Sequence, residues 1–298
     1  MQPVIIEAAI NGLTTKERNP HVPQLPTEIT TEALRCLSAG AAIVHNHIDL
    51  MTADPPAAAA RYLEAWRPIL SARPDALLYP TVGFGPGLEQ RFGHIPLLAA
   101  TGLLRVSLLD PGSVNLGAVD ADGIPGGTFD FVYANSFSDI RHVITLCAQS
   151  RLGPSIAIYE PGFLRTTLAY ARAGRLPAGA FVKFYFGGDH DYLSGAPGGV
   201  SFGLPPTPAA LDVYLSMLGN SGLPWAVAVL GGDVVACGLA RAALERGGHL
   251  RVGLEDYAGP RTPTNAELVK EAAAVAAEVG RPVATCGDAA EILGLSQS

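Results

Sequence analysis

Residues 41–50 read AAIVHNHIDL, and the rest of the chain is organised around them. The run Ala41-Ala42-Ile43-Val44 is continuously apolar, as a strand buried on both faces requires. Alternate side chains of a strand point to opposite faces, so His45 and His47 leave its end on the same side. Two imidazoles so placed can share one metal ion. A lone histidine there would read as a satisfied core residue; the paired spacing at a strand end favours ligation instead. A zinc site needs at least a third protein ligand, so a carboxylate or histidine has to come from elsewhere in the chain.

Outward from this stretch, strand-like and helix-like runs alternate. Upstream lie a strand over 3–10, a loop with Pro20, Pro23 and Pro26, and a helix opened by Thr27. That helix puts Ile29, Ala33, Cys36 and Leu37 on one face and stops at Gly40. Downstream, strands are predicted over 77–82, 103–109, 155–159, 180–186, 225–230 and 249–254. Helices are predicted over 56–70, within 88–101, and over 136–151, 162–173, 207–218 and 233–246. A further helix runs from 265 to before Gly280, with a tail helix at 288–293. Eight strands alternating with eight helices is the count of a (β/α)8 TIM barrel, here a single domain over 1–298. Long loops are expected after strand 4 (110–133) and after strand 6 (187–206). A doubly wound sheet would want a glycine-rich fingerprint after the first strand, and NGLTTK at 11–16 is not one. The GFGPG at 83–87 follows the third strand, contains Pro86 and lacks an acidic partner downstream, so it reads as a loop.

Composition narrows the function classes. With 20 Lys+Arg against 27 Asp+Glu, the net charge of −7 argues against a nucleic-acid partner. Cys36, Cys147, Cys237 and Cys286 show no paired spacing and read as reduced thiols. The opening MQPVIIEAAI has no basic region and is too short for a membrane span, so a soluble, cytoplasmic protein is expected.

In a barrel of this kind, chemistry collects at the carboxyl ends of the strands. The eighth strand ends Arg251-Val252-Gly253-Leu254-Glu255-Asp256, with Arg251, Gly253 and Glu255 on one face. Strands 1 and 8 are neighbours in a closed barrel, so Glu255 lies two strands from His45 and His47 and can complete a His2Glu site. The blander possibility is a structural Arg251–Glu255 ion pair. Asn11, Thr81, Ser113 and Glu160 also fall at strand ends and together favour a site at this rim. His21, His94, His142 and His249 lack that placement, and His190 reads either way.

These residues carry a family resemblance. It rests on residues 8–34 (AAINGLTTKERNPHVPQLPTEITTEAL), AGAAIVHNHI at 39–48, LLDPGSVNLG at 108–117 and IAIYEPG at 156–162. It continues through GAPGG at 195–199, PWAVAVLG at 224–231, GGHLRVGLED at 247–256, TNAELV at 264–269 and GRPVAT at 280–285. The chain resembles the β-keto acid cleavage enzymes over nearly its whole length. The resemblance implies a barrel with zinc held by two His and one Glu, which fall on His45, His47 and Glu255. It implies a catalytic carboxylate at Asp256, a supporting arginine at Arg251, substrate-side hydroxyls at Thr81 and Ser113, and a glutamate at Glu160. The implied reaction joins a β-keto acid to acetyl-CoA and yields acetoacetate and a new acyl-CoA. A homo-oligomer, often a tetramer, comes with the family.

The chain departs from the family's type enzyme in four places. Thr14 stands where that enzyme has a Glu that meets a substrate amino group, and Asp49 where it has an Arg. Gly232 or Asp233 replaces an Arg after strand 7, and GGDHDYLS (187–194) lengthens the loop before GAPGG. These changes bear on the substrate more than on the metal. Two alternatives stand beside this reading. A metal-dependent hydrolase of the amidohydrolase type would carry His-x-His on strand 1 with further His after strands 5 and 6, where this chain offers only His190. A non-catalytic barrel binding metal and small molecules has no need of Arg251, Asp256 and Glu160 beside the metal.

Overall fold

The computed structural model describes residues 1–50, 52–119 and 122–295. Its strands are β1 (Ile6–Ala9), β2 (Ile43–Asn46), β3 (Leu77–Pro80), β4 (Val106–Leu109), β5 (Val114–Val119), β6 (Pro125–Tyr133), β7 (Gly153–Ile158), β8 (Phe181–Gly187), β9 (Trp225–Leu230) and β10 (His249–Val252). All but β5 and β6 form one parallel sheet in the order β3-β2-β1-β10-β9-β8-β7-β4. The two ends of that order, β3 and β4, lie side by side, so the sheet curls into a nearly closed barrel with helices between successive strands. This is the TIM-barrel architecture expected from the strand count.

Local chemistry explains the alternation. Pro26 opens the helix Pro26–Ala39, and Gly40 closes it in the left-handed region at φ 116°. Ala41 N then bonds to Cys36 O, so the chain turns at once into β2. The helix buries Ile29, Ala33, Cys36 and Leu37 against the barrel. Every residue of β1, β2, β3, β4, β7, β9 and β10 is buried, as a sheet covered on both faces demands.

Three expectations need correction. Residues 110–133 are not a plain loop: β5 and β6 pair as an antiparallel hairpin with an irregularity between Gly117 and Ala118. Glycines and Pro125 interrupt the alternation there and hide the strand pattern. The helix expected within 88–101 is split into Leu88–Phe92 and His94–Ala99 at Gly93. The helix expected from 233 begins only at Leu239, because Asp233 accepts bonds from Val235 N and Ala236 N and holds a turn first. Among the described residues, no helix is long and apolar enough to cross a membrane.

Candidate active site and metal centre

Register sets the positions of the functional groups. β1 lies between β2 and β10, with Ala9 level with His45 and Glu7 level with Arg251. His45 is the last residue but one of β2, and His47 follows the strand within a clamp made by Asn11. The Asn11 amide donates to His47 O at 3.1 Å, and its oxygen accepts from His47 N at 2.8 Å. On the other side of β1, the chain leaves β10 through Gly253 at φ 138°. A Cβ at Gly253 would stand 2.0 Å from Ala9 O, so this close turn requires glycine. The turn is held by Tyr257 N to Gly253 O at 2.9 Å and by Glu255 N to Ala9 O at 3.1 Å. It brings both Glu255 and Asp256 to Arg251. Gly12 packs on Glu255, where an added Cβ would meet Glu255 Cγ at 2.3 Å.

One ligand atom from each of His45, His47 and Glu255 lies within 4.8 Å of the others. His45 Nε2 is 3.3 Å from Glu255 Oε2, and His47 Nε2 is 3.5 Å from Glu255 Oε1. His45 Nδ1–H donates to Tyr79 O at 3.2 Å, which leaves the Nε2 lone pair facing the cluster. Burial holds the His45 imidazole neutral, with its pKa down to about 4 despite Glu255. Burial opposes ionisation of Glu255, but the Arg251 guanidinium 3.0 Å from Oε1 works against it, and the carboxyl lies well below its usual range. His47 Nε2 and Glu255 Oε2 are buried without a hydrogen-bond partner. A neutral imidazole at His45, a second imidazole at His47, an anionic oxygen and orphaned atoms aimed at one point fit a divalent cation. Among the described residues no fourth donor joins the three, so positions remain for substrate oxygens.

Beside the trio lies a buried charged floor. Arg251 grips Asp256 bidentately, Nε to Oδ2 at 2.7 Å and Nη2 to Oδ1 at 2.9 Å. Its Nη2 also lies 3.0 Å from Glu255 Oε1. Its Nη1 donates to Glu7 Oε1 at 2.9 Å and to the Tyr79 hydroxyl at 3.1 Å. Lys183 donates to the same two atoms, at 2.8 Å and 2.6 Å. Burial pushes the Asp256 carboxyl above its ordinary range against the pull of Arg251, and Glu255 adds to the rise. Glu7 goes the other way: burial is overcome by Lys183 and Arg251, and its pKa falls to about 2.

The trio opens onto a cleft of about 510 Å³ lined by His47, Glu255, Thr81 and Asp110 and by apolar walls that include Leu13, Phe84, Leu116, Tyr159 and Phe202. Of the predicted rim residues, Thr81 lies on it. Asn11 does not, since its amide is used on Pro23 O and on the His47 backbone. Thr14 is buried and donates to Leu254 O at 2.6 Å. Ser113 ties the hairpin to Asn135 through Asn135 N at 2.9 Å, and Asp110 faces the cleft in its stead. Asp110 accepts from the Tyr133 hydroxyl. Glu160 accepts from Gly203 N at 3.0 Å and so anchors the loop after β8. In that loop His190 lies off the cleft, its N bonded to Gly231 O, while Tyr192 lines the cleft. Asp49 pairs with Arg61, and Asp233 with Arg261. His249 is a core residue whose Nδ1 accepts from Ile5 N. Sequence reasoning missed Glu7, Tyr79 and Lys183. A lone charge inside an apolar strand run, Glu7 in IIEAAI and Lys183 in FVKFYF, was the available signal.

The family model for beta-keto acid cleavage enzymes matches residues 3–295. The chain belongs to this family. Among relatives of this β-keto acid cleavage enzyme, the 3-keto-5-aminohexanoate cleavage enzyme of Acetoanaerobium sticklandii is 28% identical over 302 residues, covering 100% of each chain. The 3-oxoadipate:acetyl-CoA acetyltransferase of Cupriavidus necator is 27% identical, covering 99% of this chain and 95% of its own. The apo structure of ObcA superposes with a TM-score of 0.69 at 15% identity, over 93% of this chain and 66% of that one, a likeness of fold. Membership sets aside the amidohydrolase and non-catalytic alternatives, and the place of the His-x-His pair at the end of β2 agrees.

Proposed function

We propose that this β-keto acid cleavage enzyme condenses a β-keto acid with acetyl-CoA at a zinc site formed by His45, His47 and Glu255, with Asp256 as the base. The observation that carries this reading is the adjacency of two features. A trio of ligand atoms within 4.8 Å, two of them orphaned, lies next to a buried carboxylate held by a bidentate arginine. Zinc bound there would supply a Lewis acid that draws electron density from the keto acid's oxygens. The raised pKa of Asp256 suits a group that must take a proton and return it. Arg251 holds that carboxylate in one orientation. Thr81, on the cleft wall, offers a hydroxyl to the keto acid.

Asp256 takes a proton from C2 of the keto acid, and the C2 carbanion attacks the acetyl carbonyl of acetyl-CoA. A C–C bond forms and the CoA thiolate leaves. The thiolate then adds to the original ketone carbon, the bond from that carbon to C2 breaks, and an acyl-CoA departs. The carbanion left behind recovers the proton from Asp256 and leaves as acetoacetate. Glu160 acts from behind the cleft by holding the loop after β8, and Asn11, Thr14 and Ser113 hold backbone at the rim. The reading includes a cytoplasmic location, consistent with four free thiols, and a homo-oligomeric assembly. The test is to incubate the zinc-loaded protein and acetyl-CoA with β-keto acids of varied tails and to follow acetoacetate and acyl-CoA by mass spectrometry. Absence of acetoacetate across the whole panel would sink the reading.

A further inference from the structure

Zinc ligation and proton transfer account for the outer edge of Arg251. They do not explain why Glu7 and Lys183, fully and almost fully buried, lie beneath it. Two charges removed from water are costly, and well-packed apolar residues in their place are often neutral or stabilising. The neighbours of both in their strands are apolar, so the sequence around them already supplies such packing.

The geometry points to a role. Glu7 Oε1 accepts three bonds, from the Tyr79 hydroxyl at 2.6 Å, Lys183 at 2.8 Å and Arg251 Nη1 at 2.9 Å. The guanidinium of Arg251 is thereby held at two edges: Nη1 faces Glu7 and Tyr79, while Nε and Nη2 face Asp256. A planar fork held at one edge can swing, and one held at both cannot. Charge counting gives the same answer. Without Lys183, Arg251 would be the one cation bonded within a group of three carboxylates, Glu7, Glu255 and Asp256, and Glu7 would compete with Asp256 for it. Lys183 supplies the second cation and leaves the outer edge of Arg251 to the base.

We propose that Lys183 and Glu7 are positioning residues for proton transfer at C2: Lys183 seats Glu7, Glu7 fixes the inner edge of Arg251, and Arg251 presents Asp256 to the substrate. Neither residue lines the cleft. The inference rests on Asp256 being the base.

The test compares Glu7→Gln, Lys183→Met and the double variant with wild type and Asp256→Asn. All are zinc-loaded, and all rates are expressed per bound metal. Readouts are deuterium exchange at C2 of a keto acid, kcat, KM and melting temperature. Each single variant should lose about ten- to hundredfold in exchange and in kcat, as when a charge-assisted contact is removed, with KM little changed. The double variant should be no worse than the weaker single, because the two act in series. The inference is overturned if both singles exchange at the wild-type rate while only the melting temperature falls, if their losses multiply, or if the loss lies in KM. Should Lys183→Met fail to fold, Lys183→Gln takes its place and Glu7→Gln is scored alone by the same criteria. If Asp256→Asn also exchanges normally, the base assignment itself has failed, which is a different result.

Discussion

Asp256→Asn separates proton transfer from every other property of the site. The side chain keeps its shape, but one oxygen becomes an NH2 that faces a donor of Arg251. One of the two contacts at 2.7 and 2.9 Å is therefore lost. Losing a hydrogen bond to a charged partner costs about 1.5–3 kcal/mol. Arg251 is not orphaned, because Glu7 and Glu255 remain at 2.9 and 3.0 Å, so the larger penalty for stranding a buried charge does not apply. A loss of about 2 kcal/mol lowers Tm by roughly 4–8 °C and leaves the protein folded at room temperature. The chemical effect is much larger, since removal of a general base costs about 10²–10⁴ in rate. Zinc content and keto acid binding should stay near normal, because Asp256 is not among the three clustered ligands. The assay is C2 deuterium exchange by NMR without acetyl-CoA, with metal measured in the same samples. Wild-type exchange by Asp256→Asn at full metal loading would refute the assignment. Glu160, whose carboxylate accepts from Gly203 N, would then be the next carboxylate to substitute.

The remaining predictions concern the metal, the turn and acid stability. Purified protein should carry about one divalent ion per chain. Glu255→Gln should weaken its retention on dialysis, and unchanged metal in a His45→Ala, His47→Ala double variant would exclude the site. Gly253→Ala meets Ala9 O and an unfavourable φ, a strain of about 1–3 kcal/mol before the clash is counted. It should lower Tm and metal affinity together, and wild-type values for both would show that the turn tolerates a side chain. Glu7 has its folded pKa lowered from 4.5 to about 2, so its ionised form stabilises the fold above pH 4.5, and that contribution disappears as pH falls toward 2. In urea melts of metal-free protein, the advantage of wild type over Glu7→Gln should shrink over this window by on the order of 3 kcal/mol. A gap independent of pH would contradict it.

Much of this site was legible because barrel order is a strong constraint. Once strand 8 neighbours strand 1, His45, His47, Arg251 and Glu255 have to converge, and they do. What the sequence did not disclose is side-chain direction beyond a strand end. Asn11, Thr14 and Ser113 are at the rim as expected, yet each turns its polar group onto backbone. A hydroxyl or amide at a strand end can satisfy a carbonyl as readily as a substrate, and spacing alone does not distinguish the two. Asp110 was passed over because the chain bends right after Leu109 and the expected position lay three residues further on. The hairpin β5–β6 was obscured by its glycines, which lack the alternating side chains that identify a strand. Glu7 and Lys183 escaped notice because strand interiors were treated as filler, although a buried charge always needs a partner.

Gly253 has one more consequence. It brings Glu255, one of the three clustered side chains, and the residue beside it in the chain, Asp256, onto Arg251 from one turn. Their spacing is then set by a single peptide link, with consecutive Cα atoms about 3.8 Å apart, and not by packing between distant segments. Loops can lengthen, the hairpin can shift and the cleft walls can exchange one apolar residue for another without changing that interval. A change of accepted keto acid therefore needs no change in the interval between the proposed metal ligand and the proposed base.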